Sequence, residues 1–163
     1  MVKPSVLTEA RILTDSDAGK TYFLNAAGGF SVTLPTPRAG IGFEFIVKTA
    51  PTTDYVIETA ADAKIFYGKV FTSDTNAALD ATTEIGGASK ILLEANTAKV
   101  GDSIEVLSDG TYWYVNGYCS IYNAIQIAEQ SKSPSVSTSR SPSRSPSTSL
   151  SRSPSRSPSA SPS

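Results

Sequence analysis

The string Ala18-Gly19-Lys20-Thr21 ends the way a phosphate-binding loop ends, with a lysine for a phosphate and a hydroxyl for a magnesium ion. Such a loop also needs a glycine five residues before its Gly-Lys pair, and position 14 is Thr. The flanks read as a strand-to-strand turn, so nucleotide binding is not expected. Asp15-Ser16-Asp17 spaces two carboxylates as the opening of a calcium loop does, but the closing glutamate would fall on Ala26. These aspartates read as solvated turn residues. Cys119 is the single cysteine, and the chain contains no histidine. Neither a Cys-His pair nor an intrachain disulfide can form, and Cys119 reads as a small buried apolar residue. No catalytic residue, metal ligand or cofactor is therefore expected, and an enzyme is the least favoured class.

Two groups of residues carry interaction chemistry instead. The first is Tyr112, Trp113 and Tyr114, with Tyr118 beyond them. Aromatic rings on a sheet face stack on sugars or bases, or fill a core or a subunit interface. The second is a set of cations, Lys132, Arg140, Arg144, Arg152 and Arg156, which can pair weakly and salt-sensitively with phosphate.

The elements that must position these groups are short strands broken by turns. Weak first strand 9–13 is followed by a turn at Ser16-Asp17-Ala18-Gly19, then by strands at Thr21–Leu24 and Phe30–Leu34. In the latter, Phe30, Val32 and Leu34 alternate with Ser31 and Thr33, which gives one apolar and one polar face. Pro35-Thr36-Pro37 ends it. Further strands are predicted at 42–48, at Tyr55–Thr59, at 64–71 and at 90–94. Residues 73–88 read as a long loop with one helical turn at 76–79. Segments 103–107 and 111–115 form the clearest hairpin, turned at Ser108-Asp109-Gly110. In it Ile104 and Val106 share one face, as do Trp113 and Val115, with Tyr112 and Tyr114 opposite. A last strand lies within 121–127. About ten short strands predict an all-β domain, a small antiparallel sandwich or barrel of jelly-roll type, over residues 1–128.

Residues 129–163 have a different composition. Every odd position from Ser131 to Ser163 is serine, and SRSPSRSPS occurs at 139–147 and again at 151–159. A segment with so little to bury cannot offset the entropy of ordering itself, so a disordered tail is expected. The charge divides with the composition: the segment from Ser131 onward carries +5, and the residues before it carry nine basic against 15 acidic residues. The opening MVKPSVLTEARIL lacks the apolar run of a signal peptide, and no stretch approaches a membrane span. A protein made in the cytoplasm is expected.

Residues 17–24, Gly28-Gly29-Phe30-Ser31-Val32-Thr33-Leu34-Pro35-Thr36-Pro37, 40–47 and 100–115 together resemble a module of structural proteins in tailed phages and some large viruses. The resemblance spans most of the body and none of the tail. It implies a small β domain, commonly a homotrimer, that decorates or cements a capsid. The expected partner is a major capsid protein or another virion protein, and the expected location is the capsid surface. Two alternatives stand beside it: a tail-fibre or spike domain that binds a host glycan, and a nucleic-acid-associated protein acting through its Arg/Ser tail.

Overall fold

The computed structural model describes residues 4–60, 63, 65–74 and 82–128. The expected tail, 129–163, lies outside them, as does the helical turn expected at 76–79. Twelve strands are present among the described residues: β1 (Ser5–Leu7), β2 (Arg11–Ile12), β3 (Thr21–Leu24), β4 (Phe30–Leu34), β5 (Gly42–Val47), β6 (Tyr55–Thr59), β7 (Phe66–Thr72), β8 (Thr82–Ala88), β9 (Lys90–Leu93), β10 (Ser103–Ser108), β11 (Trp113–Cys119) and β12 (Ile125–Ala128). They form a seven-stranded sheet in the order β1-β3-β5-β10-β11-β7-β8 and a five-stranded sheet in the order β12-β9-β6-β4-β2. The protein is all-β and sandwich-like.

The sheets are mixed, which corrects the antiparallel, jelly-roll and barrel expectations. Both sheets are open, and five of the ten pairings are parallel. Four of the five arise in the first half of the chain. Its six strands alternate between the two sheets, so β3 returns parallel to β1, β5 parallel to β3, and β4 and β6 parallel to β2 and β4. A parallel pair needs a crossover, and here each crossover is a strand in the opposite sheet. The winding stops after β6, where β9 and β10 add antiparallel to β6 and β5. The predicted hairpin then forms, with β10 antiparallel to β11.

Two strands were not expected. β1 precedes the first predicted strand, and β8 falls in the segment read as loop. Thr82–Ala88 holds only one large apolar residue, Ile85, and two glycines, so no alternation marks it. Its pairing with β7 makes it a strand, through a bulge beside Phe66 and Tyr67.

The inner faces of both sheets feed one hydrophobic cluster. Tyr22 stacks on Phe45 (5.8 Å), Phe30 meets Tyr55 edge-on (5.0 Å), and Phe43 tilts against Trp113 (5.9 Å). Tyr55 and Asp102 tie segments of this frame together through buried polar groups. The Tyr55 hydroxyl accepts from Ala26 N (2.8 Å) and donates to the Thr49 carbonyl (2.9 Å). Asp102, only 2% exposed, accepts from Lys99 N, Ser120 N and Ser120 Oγ, each at 2.8 Å, and so joins the turn before β10 to the end of β11.

Asp17 does the same at the turn before β3. It ends a short 3₁₀ turn (Asp15–Asp17), is 6% exposed, and accepts from Lys20 Nζ (2.7 Å) and from Thr14 N and Oγ1 (both 3.1 Å). The Lys20 hydrogen bond, against the opposing cost of burial and with help from Thr14, holds its carboxyl at about 2 instead of 3.8. The folded state therefore binds this proton more weakly than the unfolded chain does. The stabilisation is complete above pH 3.8 and disappears as the pH falls through about 2. A shift of this size corresponds to a stability term on the order of 2 kcal/mol. Urea unfolding at pH 6 and pH 2 measures it: the stability gap between wild type and Asp17→Asn should be wide at the higher pH and mostly closed at the lower. An unchanged gap would contradict it.

Candidate functional site

Six strands of the seven-stranded sheet, β1, β3, β5, β10, β11 and β7, alternate, and their registers align the outward residues into three rows. At one end of the strands, Val6, Phe23, Ile46, Ser103, Tyr118 and Phe71 follow one another across β1, β3, β5, β10, β11 and β7. Two residues along lies a polar row: Thr21, Glu44, Glu105, Asn116 and Lys69. Two further along, Gly42, Leu107, Tyr114 and Tyr67 form a third row. Large apolar side chains stand in solvent in both outer rows, Tyr118 at 59% exposure and Leu107 at 54%. Soluble domains expose such residues singly; a patterned face of them marks a contact surface.

Local chemistry orders the rings. Phe71 and Tyr118 stack at 5.7 Å and 22° across the β7–β11 pair, and Tyr67 meets Tyr112 edge-on at 4.9 Å and 74°. Asp109 in the hairpin turn accepts from Thr111 N (2.7 Å), Tyr112 N (2.8 Å) and the Tyr114 hydroxyl (3.0 Å). The Tyr112 and Thr111 amides hold its carboxyl below the usual range, and its hydrogen bond pushes the Tyr114 hydroxyl up. The turn thus presents Tyr112 and Tyr114 beside Tyr67.

Two hollows flank the rows. One, of about 310 Å³, has Gly42 in its floor and Lys20, Glu44, Glu105 and Leu107 around it. The other, of about 380 Å³, is an apolar cleft between Pro4, Val6, Phe23, Ile46 and Val100.

The predicted residues divide. Tyr112 and Tyr114 reach the exposed face, together with Tyr118. Trp113 does not: it is wholly buried, and the expected interaction role is corrected to a core role. The same alternation that turns Tyr114 outward turns Trp113 inward. The cations Lys132, Arg140, Arg144, Arg152 and Arg156 lie outside the described residues. Tyr67, Phe71, Leu107, Phe23, Ile46 and Val6 were not singled out as interaction residues: Phe23, Tyr67 and Phe71 alternate with residues that are as apolar, Val6 lies in the unexpected β1, and Ile46 and Leu107 share outward faces with Glu44 and Glu105.

The residues weighed for chemistry are engaged elsewhere. Lys20 is bound to Asp17, and the segment after it is strand β3, not a helix. Asp15 pairs with Arg38, and Arg11 lies 3.6 Å from Asp17. Cys119 is buried, its thiol donates to the Phe71 carbonyl (3.7 Å), and burial pushes its ionisation up. Among the described residues, no group of three or more His, Cys, Asp and Glu is placed to hold a metal. No helix among them is long and apolar enough to cross a membrane. No protein-family model matches the chain, and no curated protein matches it.

Proposed function

We propose that this chain is a structural subunit of a virus particle, one that decorates or cements the capsid and acts by binding, not turnover. One observation carries the binding mode: the outer face of the seven-stranded sheet displays exposed Tyr67, Phe71, Leu107, Tyr114 and Tyr118 in register. Tyrosine-rich apolar surface with a polar row is the composition of protein interfaces. The assignment to a virion rests on the resemblance carried by residues 17–24, 28–37, 40–47 and 100–115. In this reading the subunit self-associates and bridges neighbouring capsid proteins, with the +5 segment after Gln130 as a soluble arm.

Electron microscopy of particles that carry the chain tests the reading. The body should appear as added density on the capsid shell. Density at a fibre tip, absence of the chain from purified particles, or measurable turnover of a substrate by the purified protein would overturn it.

A second reading has its own observation, the exposed cluster of Tyr67, Tyr112 and Tyr114 beside Asp109. Rings flanked by a hydrogen-bonding carboxylate suit a sugar, as a spike domain binding a host glycan requires. Glycan-array binding that falls at least tenfold in Tyr114→Ala, with the unfolding midpoint unchanged, would establish this reading in place of the first.

A further inference from the structure

We infer that the outer face of the seven-stranded sheet takes a second copy of this chain, related to the first by a two-fold axis that runs along the strands between β10 and β11. The argument is self-complementarity. Such an axis keeps each row facing the same row of the partner and reverses the strand order, so β10 meets β11 and β5 meets β7.

In the polar row, Glu44 then faces Lys69 of the other copy, and Glu105 faces Asn116. Lys69 already interacts within its own chain, so the contact extends that network. In one apolar row, Ile46 faces Phe71 and Ser103 faces Tyr118. In the other, Leu107 faces Tyr114, and Tyr67 faces Gly42, whose missing side chain leaves the 310 Å³ hollow. A ring enters a hollow, acid meets base, and apolar meets apolar, each pairing made twice by symmetry.

Charge decides the position of the axis. Glu44 and Glu105 are directly opposite each other on β5 and β10, a like-charge pair that costs stability within one chain. Moving the axis to lie between β5 and β10 would set Glu44 of one copy on Glu105 of the other. The position between β10 and β11 brings a cation to the acidic half instead.

The four facing strands, each about 4.8 Å wide, and three rows about 6.8 Å apart give a plane of roughly 19 by 20 Å, about 400 Å² before side-chain relief is counted. Standard interfaces bury about 800 Å² per partner, so a contact of this size fits a weak dimer that forms at tens of micromolar. Sheets pack face to face about 10 Å apart and within about 30°, which the tall rings of the outer rows can fill. The apolar cleft at Val6 and Val100 shares Ile46 with this contact, and Pro4, Val6 and Phe23 of its lining lie to the β1 side of it.

The inference concerns the isolated protein and does not rest on the virion reading. Sedimentation equilibrium of the full chain tests it. At tens of micromolar the mass should be twice the 17.1 kDa of one chain. Lys69→Glu and Glu44→Lys should each weaken the dimer at least tenfold, and the double exchange should restore most of the loss. Tyr67→Ser, an outer-face change that leaves the core intact, should also weaken it at least tenfold. Far-ultraviolet dichroism confirms that each variant remains folded; should a charge variant unfold, the Tyr67 result decides. A monomer at that concentration, a trimer as the resemblance implies, or a dimer indifferent to Tyr67→Ser would overturn the inference.

Discussion

Gly68→Ala should lower stability by about 3 kcal/mol or more, the largest effect expected of any single methyl group in this protein. Gly68 sits in the middle of β7, paired with Val115 on β11, with φ at +151°. A Cβ there would lie 1.9 Å from the Val115 carbonyl oxygen and 2.8 Å from its carbonyl carbon and nitrogen. Those atoms are backbone in a central parallel pair, so no side chain can swing away. Either β7 separates from β11 or the chain leaves its φ, and both break ladder hydrogen bonds. For a domain of this size the loss should lower Tm by roughly 10 °C. Gly86→Ala is the control, because a Cβ at Gly86 meets nothing within 4 Å. It should fall within about 0.5 kcal/mol of wild type. Calorimetry that finds the two variants equally stable would refute the account. The effect should reach the surface too, since β7 carries Tyr67 and Phe71, and a displaced β7 takes both rings out of their rows.

Trp113→Ala should cost about 3–5 kcal/mol, the range for emptying a large buried aromatic site. Trp113 has no exposed surface and leans on Phe43 at 5.9 Å. Trp113→Phe should cost far less, about 1–2 kcal/mol, for a specific reason. The indole Nε1 is buried without a hydrogen-bond partner, so phenylalanine gives up packing volume and no hydrogen bond. Urea unfolding followed by far-ultraviolet dichroism separates the two variants. If Trp113→Ala instead kept its midpoint and lost only binding, the ring would belong to the surface and its placement in the core would be wrong.

Much of the sandwich is legible in the residues. Thr21–Leu24, Phe30–Leu34 and Tyr55–Thr59 are strands with the bounds that alternation and turn residues suggest. The 103–115 hairpin is legible for the same reason, since Asp109 and Gly110 mark the turn and Ile104, Val106, Trp113 and Val115 the buried side. These are local signals. Side chains alternate with period two, and a turn announces itself within four residues.

The surface was legible only in part. Tyr112 and Tyr114 stand out in a polar hairpin and Ile46 shares its face with Glu44 and Lys48, whereas Phe23, Tyr67 and Phe71 alternate with residues that are equally apolar. Deciding which of two hydrophobic faces is the inner one needs the second sheet. Strand β8 was hidden for a related reason: with only Ile85 among its large residues, it is a strand because β7 offers an open edge.

What the chain's residues determine without help is therefore the all-β class, most strand positions, the buried side of the hairpin and the absence of histidine chemistry. The tertiary structure alone decided that half of the pairings are parallel, and that residues as distant as Val6, Ile46, Tyr118 and Phe71 share one row. Periodicity is a property of a segment, readable from its own side chains. Register is a property of pairs of segments far apart in sequence, and it is set when the chain crosses between the sheets and each strand finds the neighbour whose inner face completes the core.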